Sequence, residues 1–398
     1  MSIGKSLSRR ELLRAAPAAL AGGAALSAAD SRLQISSVKA IPIKVAGMSG
    51  RAIPKFTSDF DPARSKYIGP FAQLGGAILV EIKTVQGITG YGMGGGGGAA
   101  AFIIENHLRH LLEGTNALNV ELLWEQMYNS TLLYGRRGIV VMAMSGIDLA
   151  LWDIRGKHAG QPVHQLLGGP TKDKVPAYYT GNNVEAALKL GFRAFKHPIK
   201  NGLNEGREGM KKTIEELRRI RGLIGPDAQL MIDCICTWDV PYTLEMAERM
   251  QELRLYFIEE PVSPDNIEGY AQLCREVKGT RIASGEHEYT RYGFGELLRQ
   301  NAVQILQPDT TWCGGLTELR RIAAMAAAHN LPMVPHRGGS PYGLSVILTT
   351  PNCPFAESFC TLENTGPLMA AMTSKFDNGF YYPSDKPGFG VDITPSML

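Results

Sequence analysis

Five residues able to hold a metal or move a proton recur along the second half of the chain at a nearly constant interval. Asp233 closes the apolar run Leu230-Met231-Ile232, Glu259 closes Phe257-Ile258, and Glu286 follows Ile282-Ala283-Ser284. The gaps are 259 − 233 = 26 and 286 − 259 = 27 residues. Asp309 follows Ile305-Leu306-Gln307-Pro308, His336 follows Met333-Val334-Pro335, and 336 − 309 = 27. One strand, one helix and their two loops occupy about that length. The spacing therefore places each residue at the C-terminal end of a successive parallel strand.

Apolar periodicity predicts helices between these strands, over 210–224, 242–253, 266–277, 294–301 and 316–330. Repeated βα units of this length predict an α/β fold with a TIM-type barrel. A doubly wound sheet would need a glycine-rich phosphate turn after its first strand. The five glycines Gly94 to Gly98 have no GK[ST] ending and read as a mobile connector. Upstream, 38–43 and 77–82 read as strands, while 102–112, 120–134 and 139–156 read as helices, with Met142 and Trp152 in the core.

Carboxylates converging at one barrel rim repel one another unless a cation neutralises them. Hard oxygen donors of this kind suit Mg²⁺, so Asp233, Glu259 and Glu286 are the candidate metal ligands. An Asp one strand before a His fixes the imidazole tautomer and raises its basicity. Asp309 and His336 thus read as a base able to take a proton from carbon.

Charge excludes another class of partner. Lys and Arg number 41 against 38 Asp and Glu, a net +3 with both signs interspersed, so no nucleic-acid partner is expected. The partner expected is a small molecule. Arg9-Arg10 before the small, apolar stretch 15–29 reads as a twin-arginine export signal. That stretch is too short and glycine-broken for a membrane span. The expected location is the periplasm, or the cytoplasm if the signal is not used. The six cysteines, including Cys234-x-Cys236, lack a second metal-binding pair and read mostly as free thiols.

These residues sit within longer motifs: Met144-Ser145-Gly146-Ile147-Asp148-Leu149-Ala150-Leu151-Trp152-Asp153, Gly160-Gln161-Pro162-Val163, Glu259-Glu260-Pro261 and Ser284-Gly285-Glu286-His287. The chain resembles the enolase superfamily in its mandelate racemase/muconate lactonizing enzyme branch, over nearly the whole sequence after residue 30. Within that branch it is most similar to the L-rhamnonate dehydratases, on Gln307-Pro308-Asp309, Trp312-Cys313-Gly314-Gly315-Leu316 and Asp385-Lys386-Pro387-Gly388-Phe389-Gly390-Val391.

The resemblance implies a (β/α)7β barrel over 141–361. An α+β capping domain would be formed by 31–140 and 362–398. It implies Mg²⁺ on the carboxylate triad and removal of the proton α to a substrate carboxylate by His336, oriented by Asp309. Lys196 would lie near the developing negative charge, and Glu357 would bond the substrate carboxylate or donate a proton. Arg64, Lys66 and Tyr67 in the first loop, with Arg337 after the base, are candidate substrate contacts.

Racemases of this branch carry Lys-x-Lys on the second strand, whereas this chain reads Lys196-His197-Pro198. Pro198 cannot be a base, which favours dehydration of an acid sugar to a 2-keto-3-deoxy acid. His197 should alternate away from the site. A homo-oligomer is also implied. The competing readings are an epimerase or cycloisomerase of the same superfamily and a non-catalytic exported sugar-acid-binding protein. Neither needs the whole set of residues: the first lacks its second base, and a binder has no use for a base.

Overall fold

The computed structural model describes residues 33–43, 76–359 and 366–397. The expectations placed on 1–30, on Arg64, Lys66 and Tyr67, and on Cys360 lie outside the described residues.

An antiparallel meander opens the chain: β1 (Ile35–Ile43), β2 (Ala77–Thr84) and β3 (Thr89–Gly94). It is followed by α1 (Gly97–Ile103), which runs on through a π-helical turn to Leu112, then α2 (Val120–Thr131) and α3 (Ile139–Ala159). Gly90, Gly92 and Gly94 share one face of β3, and that face lies on the backbone of α3. A Cβ on them would come within 2.2 Å of the Ala150 carbonyl oxygen, 2.1 Å of Gly146 O and 2.5 Å of Met142 O, respectively. Strand period two thus meets helix period four. The glycine run is therefore not the mobile connector its composition suggested. Gly94 to Gly97 are buried, and Gly96, at φ +84°, turns the chain into α1.

The polar residues of the long Met144–Asp153 motif tie α3 to three other segments. Ser145 Oγ accepts from Gly314 N at 2.9 Å, and Asp148 accepts from the Thr317 amide at 3.0 Å and hydroxyl at 2.5 Å. Asp153 accepts from Tyr91 N and Phe389 N, both at 3.0 Å. Each buried polar group finds a partner, as burial demands.

Six parallel strands follow in chain order: β4 (Val175–Thr180), β5 (Ala194–Pro198), β6 (Gln229–Asp233), β7 (Phe257–Glu259), β8 (Arg281–Ser284) and β9 (Ile305–Leu306). Each is followed by a helix: α4 (Val184–Lys189), α5 (Gly206–Ile224), α6 (Val240–Arg249), α7 (Ile267–Glu276), α8 (Thr290–Arg299) and α9 (Gly315–Ala328). The seventh position is residues 333–336, joined to the sixth by the isolated bridges Leu306–Met333 and Asp309–His336. Pro332 and Pro335 lack the N–H donors that a continuous ladder needs. After α10 (Pro341–Thr349), β10 (Ala356–Ser358) pairs in parallel with β4. The order is that of a TIM-type (β/α)7β barrel, although no ladder joins 333–336 to β10 among the described residues.

The barrel interior explains where the site lies. Tyr178, Ala194, Met231, Phe257, Ala283, Ile305 and Val334, one from each of seven consecutive strand positions, form a single buried apolar cluster, with Phe355 packed against it. Side chains alternate across a strand, so the residue two further on faces the same interior one layer higher. That higher layer reads Thr180, Lys196, Asp233, Glu259, Gly285, Gln307, His336 and Glu357.

The C-terminal segment, expected to complete the capping domain, also extends the barrel sheet. Its hairpin of β11 (Lys375–Asp377) and β12 (Phe380–Tyr382) pairs antiparallel with the start of β4, Phe380 with Pro176 and Tyr381 with Val175. Beyond it, Phe389 reaches α3 through Asp153.

Candidate active site

Asp233 and Glu259 are directly paired across β6 and β7. β8 ends at Ser284, and just past it Gly285, at φ +134°, turns the chain so that Glu286 follows toward the same point. A Cβ at Gly285 would crowd Phe294 at 2.9 Å and Gln307 N at 3.1 Å, so only glycine makes that step without strain. One carboxylate oxygen from each of Asp233, Glu259 and Glu286 lies within 4.8 Å of the others. Three hard anionic oxygens at this separation fit Mg²⁺. Burial pushes the Asp233 carboxyl up to about 7 and the Glu259 carboxyl well up, the direction a dication reverses.

Lys196 lies beside this triad and is 1% exposed. Its Nζ is 2.7 Å from both Glu259 oxygens, 2.7 Å from Glu357 Oε1 and 3.8 Å from Asp233 Oδ2. Gln307 Nε2 also donates to Glu259 Oε2 at 2.6 Å. Glu357 Oε1 accepts from Thr180 Oγ1 at 2.6 Å, and Oε2 accepts from Arg337 N at 2.9 Å. Burial alone would raise the Glu357 carboxyl, but Lys196 and His336 outweigh it and hold it below the ordinary value. Glu357 is thus a carboxylate that accepts, which disfavours the proton-donor role among those expected of it.

His336 Nδ1 is 2.7 Å from Asp309 Oδ2, and its Nε2 lies 3.7 Å from Glu286 Oε2. Asp309 Oδ1 accepts from the Thr311 amide and hydroxyl, both at 2.6 Å. Burial acts to lower the His336 imidazole, but Glu286, Glu357 and Asp309 together raise it. The Asp309 carboxyl, which burial alone would raise, is held below its usual value by the His336 bond. The result is a basic imidazole with Nδ1 committed to Asp309 and Nε2 turned toward the carboxylate cluster.

A second histidine–carboxylate pair stands nearby. His287 Nδ1 is 2.9 and 3.0 Å from the two Glu260 oxygens, and the Cys236 thiol donates to Glu260 Oε2 at 3.3 Å. Burial opposes protonation of His287, but Glu260 pushes its pKa up to about 9. Both Cys236 and His287 are satisfied by Glu260, so hydrogen bonding accounts for this group. Trp312 sits between the pairs, 5.4 Å from the His336 ring and 5.8 Å from the His287 ring. The Arg337 guanidinium lies 5.2 Å over the same indole. Left-handed, non-glycine backbone marks the rim: Ile235, Cys236, Glu260 and Arg337 all have φ between +40° and +55°. Such residues cost on the order of 1–3 kcal/mol each and cluster at sites.

The fold brings the residues singled out in the sequence, the triad, the Asp309/His336 pair, Lys196, Glu357 and Arg337, to one rim. Sequence reasoning assigned no role to Thr180, Gln307, Trp312 or the Glu260–His287 pair. The two-residue step from the apolar layer would have found Thr180 and Gln307. His197 faces away, with Nε2 3.3 Å from Glu216 on α5. Glu288 also faces away, pairing with Arg137 at 3.4 Å and accepting from Tyr289 N. Among the described cysteines, Cys234, Cys236, Cys274, Cys313 and Cys353 are free.

Comparison with known proteins matches residues 180–397 to the enolase C-terminal domain-like family. Residues 73–168 match the mandelate racemase/muconate lactonizing enzyme N-terminal domain. The L-rhamnonate dehydratase of Saccharopolyspora erythraea is 40% identical over 330 residues, covering 81% of this chain and 84% of that protein. The crystal structure of rhamnonate dehydratase from Gibberella zeae complexed with Mg superposes with a TM-score of 0.83 at 34% identity, covering 94% of this chain and 97% of that one. The 3,6-anhydro-D-galactonate cycloisomerase of Zobellia galactanivorans gives a TM-score of 0.75 at 29% identity, covering 91% of this chain and 97% of that one. With both of its halves matched and its carboxylates and histidine gathered at one barrel rim, this chain belongs to the mandelate racemase/muconate lactonizing enzyme branch of the enolase superfamily.

Proposed function

We propose that the protein is a hydro-lyase that dehydrates an acid sugar, an aldonate resembling L-rhamnonate, to the 2-keto-3-deoxy acid. The observation that carries this reading is the Asp309–His336 pair 3.7 Å from a ligand of the carboxylate triad. A proton α to a carboxylate is only weakly acidic, because its removal puts a second negative charge on the same group. Mg²⁺ held by Asp233, Glu259 and Glu286 would supply the charge that offsets it. Lys196 adds a second cation on the same side.

His336 Nε2 takes the proton from C2. The hydroxyl on C3 then leaves as water with a proton, and the protonated imidazole can return one if departure is on the same face. The enol that remains becomes the 2-keto acid. Pro198, in β5 beside Asp233, leaves no basic side chain at the position where racemases carry their second lysine. That supports elimination over inversion. The rhamnonate dehydratase relatives support the sugar-acid class, while Arg337 over Trp312 and the loop bearing Arg64, Lys66 and Tyr67 are the proposed substrate contacts. The twin-arginine motif supports export, with sugar-acid breakdown taking place in the periplasm.

The test is incubation with a panel of aldonates and aldarates plus Mg²⁺, scored for 2-keto acid and for deuterium exchange at C2. A 2-keto-3-deoxy product from one of them is expected. Inversion or ring opening without loss of water would overturn the dehydratase reading. Changing Arg9 and Arg10 to Lys should retain the protein in the cytoplasm; full-length wild-type protein in the cytosolic fraction would overturn export.

A further inference from the structure

Lys196 uses all three of its ammonium protons on carboxylates. Two go to Glu259, a ligand of the metal triad, and one goes to Glu357, which is not a ligand. No water can take over these bonds, because the side chain is 1% exposed and stands over the Tyr178 ring at 5.8 Å. Four carboxylates face this one ammonium: Asp233, Glu259, Glu286 and Glu357.

We propose that Lys196 is a built-in counter-cation which shares Glu259 with the divalent ion and so sets how tightly that ion is held before any substrate arrives. The inference rests on the metal assignment above and adds to it. The ammonium lies within contact distance of a ligand, so its charge is unscreened and opposes a dication directly. It also keeps the carboxylates from repelling one another when no dication is bound. Glu357 is the other half of the device. By holding the third proton at 2.7 Å, and being held in turn by Thr180 and the Arg337 amide, it keeps the ammonium from settling wholly on Glu259. Glu259 is thereby left able to take up the metal ion, and the side chain stays poised for the substrate carboxylate.

The test is calorimetric titration of Mg²⁺ into chelator-stripped protein without substrate, with thermal melting read alongside. Lys196→Met should bind Mg²⁺ about tenfold or more tightly, because a unit positive charge has been removed from contact with a ligand. It should also melt lower without Mg²⁺ and gain more from it. Glu357→Gln should bind Mg²⁺ several-fold more weakly, since Lys196 then leans on Glu259 alone. If Lys196→Met folds only when Mg²⁺ is present, that dependence itself supports the counter-cation role. Wild-type binding with Lys196→Met unchanged or weaker overturns the inference while leaving the metal site standing. A wild type that takes up no Mg²⁺ overturns both. Turnover is not read, so a wrong substrate class does not affect the outcome.

Discussion

Two layers of the barrel lie two residues apart on the same strands and obey opposite rules. The lower one, from Tyr178 to Val334, is apolar apart from the Tyr178 hydroxyl. The upper one, from Thr180 to Glu357, holds a lysine, a histidine and several carboxylates, nearly all as deeply buried. Burying Met231 or Phe257 stabilises the fold by about 1.5–3 kcal/mol each, by removing apolar area from water. Burying Glu259 or Asp309 costs free energy that hydrogen bonds and counter-charges only offset. One layer therefore secures the fold, and the other stores electrostatic tension that chemistry can use. The difference also predicts that variants of the two layers should fail in different ways.

The largest effect is expected from His336→Asn. Removing the proposed base should lower kcat by about 10⁴ and abolish deuterium exchange at C2, with the melting temperature unchanged or raised. Persisting exchange would reveal a second base. Phe257→Ala, one layer down, should instead lose about 3–5 kcal/mol of stability in denaturant titration. If its loss of activity exceeds its loss of folded protein, the two layers are not separable as described.

Asp309→Asn should lower kcat by about 10² while melting stays close to wild type. An amide cannot accept the Nδ1 proton and the Thr311 bonds alike, so the imidazole loses its tautomer and its basicity. Equal turnover would mean that the buried pair orients nothing. Glu260→Gln extends the contrast to the rim just above the upper layer. His287, pushed up to about 9 by its carboxylate partner, should titrate about one unit lower or more once that charge is gone. Imidazole NMR on the Mg²⁺-free protein reads this directly. The sign is fixed, because removing an anion beside a histidine disfavours the protonated ring. A titration still near the wild-type value would show that another group raises it.

The triad and the Asp309–His336 pair were legible in the sequence because the βα unit has a nearly fixed length, so equal spacing translates into a shared rim. Lys196 and Glu357 came through resemblance. The glycine stripe of β3 did not, since its meaning depends on α3, some fifty residues further on in the chain; the adjoining run Gly94 to Gly98 looked from composition like a mobile connector. The seventh strand was recognised as a strand, but its two prolines reduce it to isolated bridges. The Glu260–His287 pair was missed because Glu260 reaches its partner through a left-handed turn just after β7. Strand alternation does not anticipate a residue placed in that way. The C-terminal segment carried a family resemblance over Asp385 to Val391 and gave no sign that β12 would add to β4.

Gly95 follows the stripe, and a methyl group there would lie 2.7 Å from the Trp312 Nε1 and 2.9 Å from the Met142 sulfur. The indole it would displace touches both imidazoles and carries the Arg337 guanidinium. One hydrogen atom's worth of space in the N-terminal region is thus a mechanical lever on the catalytic rim of the other domain. The two matched halves cannot drift apart by independent substitution at this seam.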